Sequence, residues 1–445
     1  MLRGLRFGNG VFSEVGDTRG LCPLVRVTFV GVRMVAETKA LAGVRVLDLS
    51  RILAGPVAGQ LLGDFGAEVI KVEKPGAGDD SRRLGGAIMK DKNGKPSQFA
   101  PMYMCSNRNK KSIAIDLSQP EGQDLVRSLA AWADVLIENY KAGDLARYGL
   151  DYESLKKVNR KLVYCSITGF GQTGPYAPRA GFDPIFQAMS GLMSVTGHPD
   201  GKPGAGPMRV GVPITDFICG LYAYGAILTA LHHRDRVSGE GQHIDLALLD
   251  STISATCVAQ VNYLSNGVVQ PRQGNAAPTS APSGVYECAD GPITLSTPSN
   301  DIFTRMCTAL ERPDIAADPR FASNQERVDH RAELAALLEP EFTKRKRLPL
   351  IDLMEEHTVP CAPIYAVNEV YEDPQVKHRV NSVEVPHPVT GRMAFGTNPV
   401  RLSATPVKDY TAPPGVGEHT VNILANVLKL DAARIDELRS KKIVN

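Results

Sequence analysis

The stretch best suited to chemistry runs Val210-Gly-Val-Pro-Ile-Thr-Asp216 and continues as an apolar, helix-like run from Phe217 to Leu231. Asp216 is the single acid in it. A carboxylate at a helix start accepts free backbone N–H groups and faces the positive end of the helix dipole. It is therefore expected to stay ionised and rigidly held, the state a nucleophile requires. The same position suits an ordinary helix cap, and spacing by itself does not separate the two. Asp200 is a second acid that invites a catalytic role, but followed by Gly201 it is a turn signal first.

The elements that must position Asp216 lie upstream. Val44–Leu49, Val69–Val72, Ser112–Ile115, Val135–Ile137 and Leu162–Ile167 read as strands. Gly55–Phe65 and Pro120–Ala133 read as helices between them, the second opening on Ser118-Gln-Pro-Glu-Gly. This alternation predicts an α/β domain with a mostly parallel sheet and a ligand site at the C-terminal strand ends. After the first strand, Leu49-Ser-Arg-Ile-Leu-Ala-Gly-Pro56 lacks the glycine spacing of a dinucleotide fingerprint. Gly169–Pro184 and Thr196–Pro213 are expected as glycine-rich loops flanking a helix at Ile185–Ser194. Beyond the central run, His243–Leu249 is expected as a strand feeding a helix. Hairpins are predicted around Asp290-Gly291 and Thr390-Gly391, with helices at Asp301–Leu310, Arg331–Phe342, Leu348–His357, Glu418–Leu428 and Asp431–Ser440. The domains expected are an N-terminal extension over 1–40, a large α/β domain over 41–231 with C-terminal helices near 400–445 packing back on it, and a smaller α+β domain with linkers over 232–399.

Several motifs then carry a resemblance. Gly43-Val-Arg-Val-Leu-Asp-Leu-Ser50, Ala54-Gly-Pro56, Gly66-Ala-Glu-Val-Ile-Lys-Val-Glu-Lys-Pro75, Asn107-Arg-Asn-Lys-Lys-Ser-Ile113 and Tyr164-Cys-Ser-Ile-Thr-Gly-Phe-Gly-Gln-Thr-Gly-Pro175 precede the Asp216 segment in order. Together they resemble the family III CoA-transferases, a group that includes the α-methylacyl-CoA racemases, from about residue 40 to the C-terminus. The resemblance implies a Rossmann-like large domain, an interlocked ring homodimer, and Asp216 as nucleophile. It also implies a CoA site drawn from Leu53, Ala54, Lys74, Ile115, Asp116, Asn139, Tyr140, Arg147, Phe182 and Asp183. A lid is implied at Gly274, Asn275 and Ala276, where formyl-CoA transferase carries a glycine run. That difference, and Leu53 where the formyl enzyme has Gln, disfavour a formyl or oxalate enzyme. The look is closer to members that pass CoA from succinyl-CoA to dicarboxylates. Arg51, Arg179 and Arg209 are the candidate cations for an acceptor's far carboxylate, and Arg108, Lys110 and Lys111 could help neutralise phosphates.

Two other readings are weighed. A racemase needs an acid/base pair, and in that branch a His stands where this chain has Phe182, so α-proton exchange is disfavoured. A non-catalytic acyl-CoA-binding protein would not need an ionisable group at Asp216. The expected substrates are acyl-CoA thioesters and small carboxylic acids, with no tightly bound cofactor.

Composition bounds the alternatives. The chain has 445 residues, 43% hydrophobic and 22% charged, with 50 basic against 48 acidic side chains and a formal charge of +2. Nothing in that balance argues for a nucleic-acid or membrane-surface partner. The eight cysteines include no CxxC pair, and no His/Cys cluster has metal spacing, which fits a reducing compartment and no metal. No uninterrupted apolar run reads as a membrane span. The first forty residues carry five arginines but also Glu14, Asp17 and Glu37, a mediocre match to a transit peptide. A cytoplasmic protein is expected, with the mitochondrial matrix as the alternative and Met34 as a possible true start.

Overall fold

A computed structural model of the chain describes residues 39–379 and 381–445; the N-terminal extension, except Lys39 and Ala40, lies outside the described residues. Six strands form one sheet: β1 Arg45–Asp48, β2 Glu68–Glu73, β3 Lys110–Ala114, β4 Val135–Glu138, β5 Val163–Thr168 and β6 His243–Ala247. All neighbours pair in parallel, in the order β3-β2-β1-β4-β5-β6. This is the doubly wound order of a Rossmann-like sheet, whose strand order reverses between β1 and β4 and opens a crevice at their C-terminal ends.

The strands carry apolar residues on both faces because both are covered. Leu47, Ile70, Ile113 and Leu136 point to one face, where Leu125, Val126 and Leu129 of the helix Pro120–Trp132 meet Ile423, Leu424, Ile435 and Leu438 of the two C-terminal helices. The alternate residues Val46, Val69, Ile137 and Cys165 point to the other face. There they meet Ala58 and Leu62 of helix Ala54–Asp64, and Cys219, Ala223, Ile227 and Ala230 of the central helix Ile214–His233.

β6 lies beyond residue 231, so the sheet runs past the boundary expected for the large domain. The half-polar sequence His-Ile-Asp-Leu-Ala pairs with β5 from Tyr164↔His243 to Thr168↔Ala247. The expected hairpins form as Ser283–Cys288 with Gly291–Ser296 and Ser382–His387 with Gly391–Gly396. A third strand, Cys361–Pro363, adds to the first hairpin and was not legible at three residues. Around that sheet, Phe303, Leu338, Phe342 and Met354 build a separate core.

Two expectations about helices need correction. The run Ile185–Ser194 is two helices, Asp183–Met189 and Leu192–Val195, because Gly191 takes a left-handed φ of 87° between them. The central helix, continued to Ser238, does have the length and hydropathy of a membrane span. Glycine, alanine and threonine blur its outline in sequence, and one side of it forms the core against the sheet.

Candidate active site

Asp216 is the third residue of the central helix, and Pro213, not an acid, occupies the cap position. The capping work is done from elsewhere. Asp183, buried at the start of Asp183–Met189, accepts the Thr215 backbone N–H at 2.9 Å and the Thr215 hydroxyl at 2.8 Å. Its other oxygen accepts from the Gln187 amide at 2.7 Å, and the Gln187 oxygen accepts the Val210 N–H at 2.8 Å. The approach segment is thereby fastened at both ends, and the Asp216 carboxylate is released from serving its own helix.

That carboxylate instead faces the backbone N–H of Ala54, the first residue of the helix Ala54–Asp64, which favours its charged form. Two helix starts thus face one another, and Gly220 lets them approach. A Cβ on Gly220 would lie 2.8 Å from the Ala54 carbonyl oxygen and 2.9 Å from the Val57 side chain. The loop that presents Ala54 is itself strained, since Ile52, a β-branched residue, holds φ at 69°. Its N–H donates to Asp79 at 3.1 Å. Buried Asp79 pairs with buried Lys71 at 2.8 Å, and Lys71 also donates to the Ser50 carbonyl at 2.7 Å. Beside them, Glu73 takes both arms of Arg82 at 2.6 and 2.7 Å, and Lys110 pairs with Asp48 at 2.8 Å. Sequence reasoning missed this network. The signal available was Lys71 and Glu73 inside a strand covered on both faces, where unpaired charge is too costly to keep.

Asp216 opens onto a cavity of about 530 Å³ at the C-terminal ends of β1, β4, β5 and β6. Arg51, Ile52 and Ala54 form one wall, Asn139 and Tyr140 a second, and Arg179, Gly181 and Phe182 a third. Asn139 clamps Arg51 by both backbone groups, accepting its N–H at 2.8 Å and donating to its carbonyl at 2.6 Å. The Arg51 guanidinium lies 4.8 Å over the Tyr140 ring.

The expectation that Asp216 is plainly ionised is corrected. Withdrawal from bulk water, helped by the negative charge of Asp183, raises its pKa to about 7, and the single N–H from Ala54 offsets only part of that. Near neutral pH the group is poised between acid and carboxylate.

Among the other expected site residues, Ala54, Asn139, Tyr140 and Phe182 line the cavity with Asp216. Lys74 is exposed directly after β2, and Arg147 is exposed and lies 4.6 Å over Tyr148. Leu53, Ile115 and Asp183 do not reach the cavity with their side chains. Leu53 and Ile115 are buried apolar residues, and Asp183 is committed to Thr215 and Gln187. Asp116 holds the Ser118 N–H at 2.9 Å and hydroxyl at 2.7 Å. Gly274, Asn275 and Ala276 do not line the cavity either. Gly274 donates to the Gly197 carbonyl at 2.9 Å, beside an Arg272–Asp200 ion pair that engages the rival acid. Arg108 and Lys110 are buried in pairs with Asp64 and Asp48, Lys111 pairs near the surface with Glu68 at 2.6 Å, and none of the three lines the cavity. Of the three cations considered for an acceptor, Arg51 and Arg179 line the cavity and Arg209 does not.

Comparison with known proteins decides what kind of enzyme holds this cavity. The profile of CoA-transferase family III matches residues 41–420. The chain belongs to CoA-transferase family III. A succinate–glutarate CoA-transferase of Agrobacterium fabrum is 45% identical over 388 residues, covering 87% of this chain and 95% of that one. A human succinyl-CoA:glutarate CoA-transferase is 39% identical over 407 residues, covering 92% and 90%. The crystal structure of a CAIB/BAIF family protein from Brucella suis superposes with a TM-score of 0.79 at 42% identity, covering 87% of this chain and 99% of that one. This family III transferase is thus an enzyme with CoA thioesters as substrates, and its α/β architecture is the family's. Phe182 stands 71% exposed at the cavity, and no histidine among the described residues lines it, so nothing there favours the racemase reading.

Proposed function

We propose that the enzyme transfers CoA from succinyl-CoA to a small dicarboxylate such as glutarate, with Asp216 as the nucleophile. The observation that carries this reading is a lone carboxylate on the central helix that faces the Ala54 N–H at a cavity lined from four strand ends. The names of the relatives support the choice of donor and acceptor.

Ionised Asp216 attacks the thioester carbonyl of the donor, the C–S bond breaks with its electrons on sulfur, and an aspartyl–succinyl anhydride forms. The CoA thiolate then attacks the Asp216 acyl carbon and expels succinate, leaving an aspartyl-CoA thioester. The acceptor carboxylate attacks that thioester and displaces the thiolate, which attacks the acceptor carbonyl of the new anhydride. Acyl-CoA leaves and Asp216 is regenerated. The N–H of Ala54, at a helix start, is placed to stabilise charge that builds on the Asp216 carbonyl oxygen in each step.

The CoA is proposed to run along the strand ends, which in sheet order offer Asp116 after β3, Lys74 after β2, Arg51 after β1 and Asn139 after β4. Lys74 and Arg147 would meet its phosphates. Gly274 to Ala276 are proposed to close over the cavity when substrate binds, protecting two hydrolysable intermediates from water.

Asp216→Ala is expected to abolish exchange of labelled succinate into succinyl-CoA while leaving CoA affinity within a few-fold of the parent. Hydroxylamine trapping after incubation with succinyl-CoA should mark Asp216 by mass spectrometry. A mark on Asp200, or exchange that survives in Asp216→Ala, would refute the assignment. CoA binding with no exchange in the parent would instead support the acyl-CoA-binding reading.

A further inference from the structure

The dicarboxylate acceptor of the proposed reaction needs a cation for its unreacting end, and three arginines were candidates from sequence. We infer that Arg179 is the residue that fixes the distal carboxylate and so selects dicarboxylic over monocarboxylic acceptors. This inference rests on the transferase reading above.

Both Arg51 and Arg179 stack on a tyrosine ring, but the Arg51 guanidinium also has a carboxylate neighbour, Asp80, 4.0 Å away. Two backbone hydrogen bonds to Asn139 tie Arg51 to the side assigned to CoA. Arg179 lines the cavity with Gly181 and Phe182 instead. Its guanidinium lies 3.7 Å over the Tyr176 ring, and no carboxylate among the described residues forms an ion pair with it. Stacking fixes the plane of the group and leaves its N–H edges for a ligand, the fork geometry that matches a carboxylate.

The guanidinium is referenced to the core by a chain of rings. Tyr176 packs edge-on to Phe170 at 5.6 Å, and Phe170 packs edge-on to Phe186 at 5.3 Å. Phe186 is fully buried, and a Cβ on Gly169 or Gly181 would fall 2.7 or 2.4 Å from its ring tip. Phe186 belongs to the helix whose first residue, Asp183, holds Thr215 next to the nucleophile. Arg179 and Asp216 are thus set by one short helix, one through aromatic stacking and the other through a cap. That common support refers both groups to one rigid element, as a specific binding site requires.

The test compares glutarate with pentanoate, equal in chain length and differing by the distal carboxylate, at saturating acyl-CoA donor. The parent should favour glutarate, and Arg179→Gln should raise the glutarate KM about 10- to 100-fold and lower the glutarate-to-pentanoate preference by a similar factor, the loss expected for one charge-assisted fork. Arg179→Lys should fall between, keeping charge without the fork. Tyr176→Leu should weaken glutarate binding by a smaller factor. An unchanged glutarate-to-pentanoate ratio in Arg179→Gln, or a collapse of that ratio in Arg51→Gln alone, would overturn the assignment to Arg179. Absence of CoA transfer to any carboxylate in the parent would instead overturn the transferase reading, and this inference with it.

Discussion

At the scale of single residues, the site turns on the Asp216 proton. With its pKa raised to about 7 by burial and by Asp183, the carboxyl ionises only as the pH passes neutrality. The nucleophile is the ionised form, so kcat/KM is expected to climb about tenfold per pH unit below 7 and to level off above it. Asp183→Asn keeps an oxygen to accept from Thr215 but removes the neighbouring charge, and should move that limb to lower pH. A profile flat from pH 5 to 8 would contradict the poised carboxyl. Stability follows the opposite sign. A folded-state pKa above the unfolded value of about 4 means that stability is lost as pH rises through 7. Asp216→Asn, though inactive, should therefore melt no lower than the parent at pH 8.

At the scale of elements, the decisive contact is the approach of two helices at Gly220. An added methyl group would meet the Ala54 carbonyl at 2.8 Å, and a backbone atom cannot yield as a side-chain tip can. Gly220→Ala is expected to cost about 1–3 kcal/mol as an overpacked core position. It should also lower kcat at least tenfold by moving Asp216 off the Ala54 N–H. Thermal melts and steady-state kinetics on the same variant separate the two effects, and a variant with parental kcat would dissociate the helix contact from catalysis. The loop opposite is held differently. Asp79 carries the strained Ile52 N–H, and Lys71 holds the Asp79 pKa down to about 2, against the cost of burying it. That contribution is present above pH 4 and lost as pH falls toward 2.

At the scale of the whole molecule, the homodimer that the family resemblance implies would need an apolar surface, and exposed apolar residues are present. The helix Cys257–Asn266 has no buried residue, and Val258, Val261 and Leu264 along it are 76%, 60% and 77% exposed. Phe217, Leu221 and Tyr222 on the central helix are also exposed. Exposed apolar residues along one helix are the feature expected of an interface between proteins. Paired substitutions Val261→Glu and Leu264→Glu are expected to convert a dimer of about twice the chain mass to monomer in sedimentation velocity. An unchanged sedimentation coefficient would place the interface elsewhere.

Much of this architecture was legible along the chain because it rests on local rules. Alternating apolar strands with helices between them located β1 to β5 to within a residue or two, and turn pairs such as Asp290-Gly291 located the hairpins. The segment around Asp216, with its ordered company of motifs, singled out one acid of 48 acidic side chains. Tertiary structure decided what no local rule encodes. Asp183 and Asp216 look alike as acids near helix starts, yet one caps the other's helix and the second faces the Ala54 N–H, because folding brings residues 54, 183 and 216 together. The pKa of Asp216, the burial of Lys71 and Lys110, and the carboxylate that lies near Arg51 while none pairs with Arg179 among the described residues are likewise sums over neighbours distant in sequence. Periodicity along the chain fixes which face a residue shows, and charge energetics depend on what stands opposite that face.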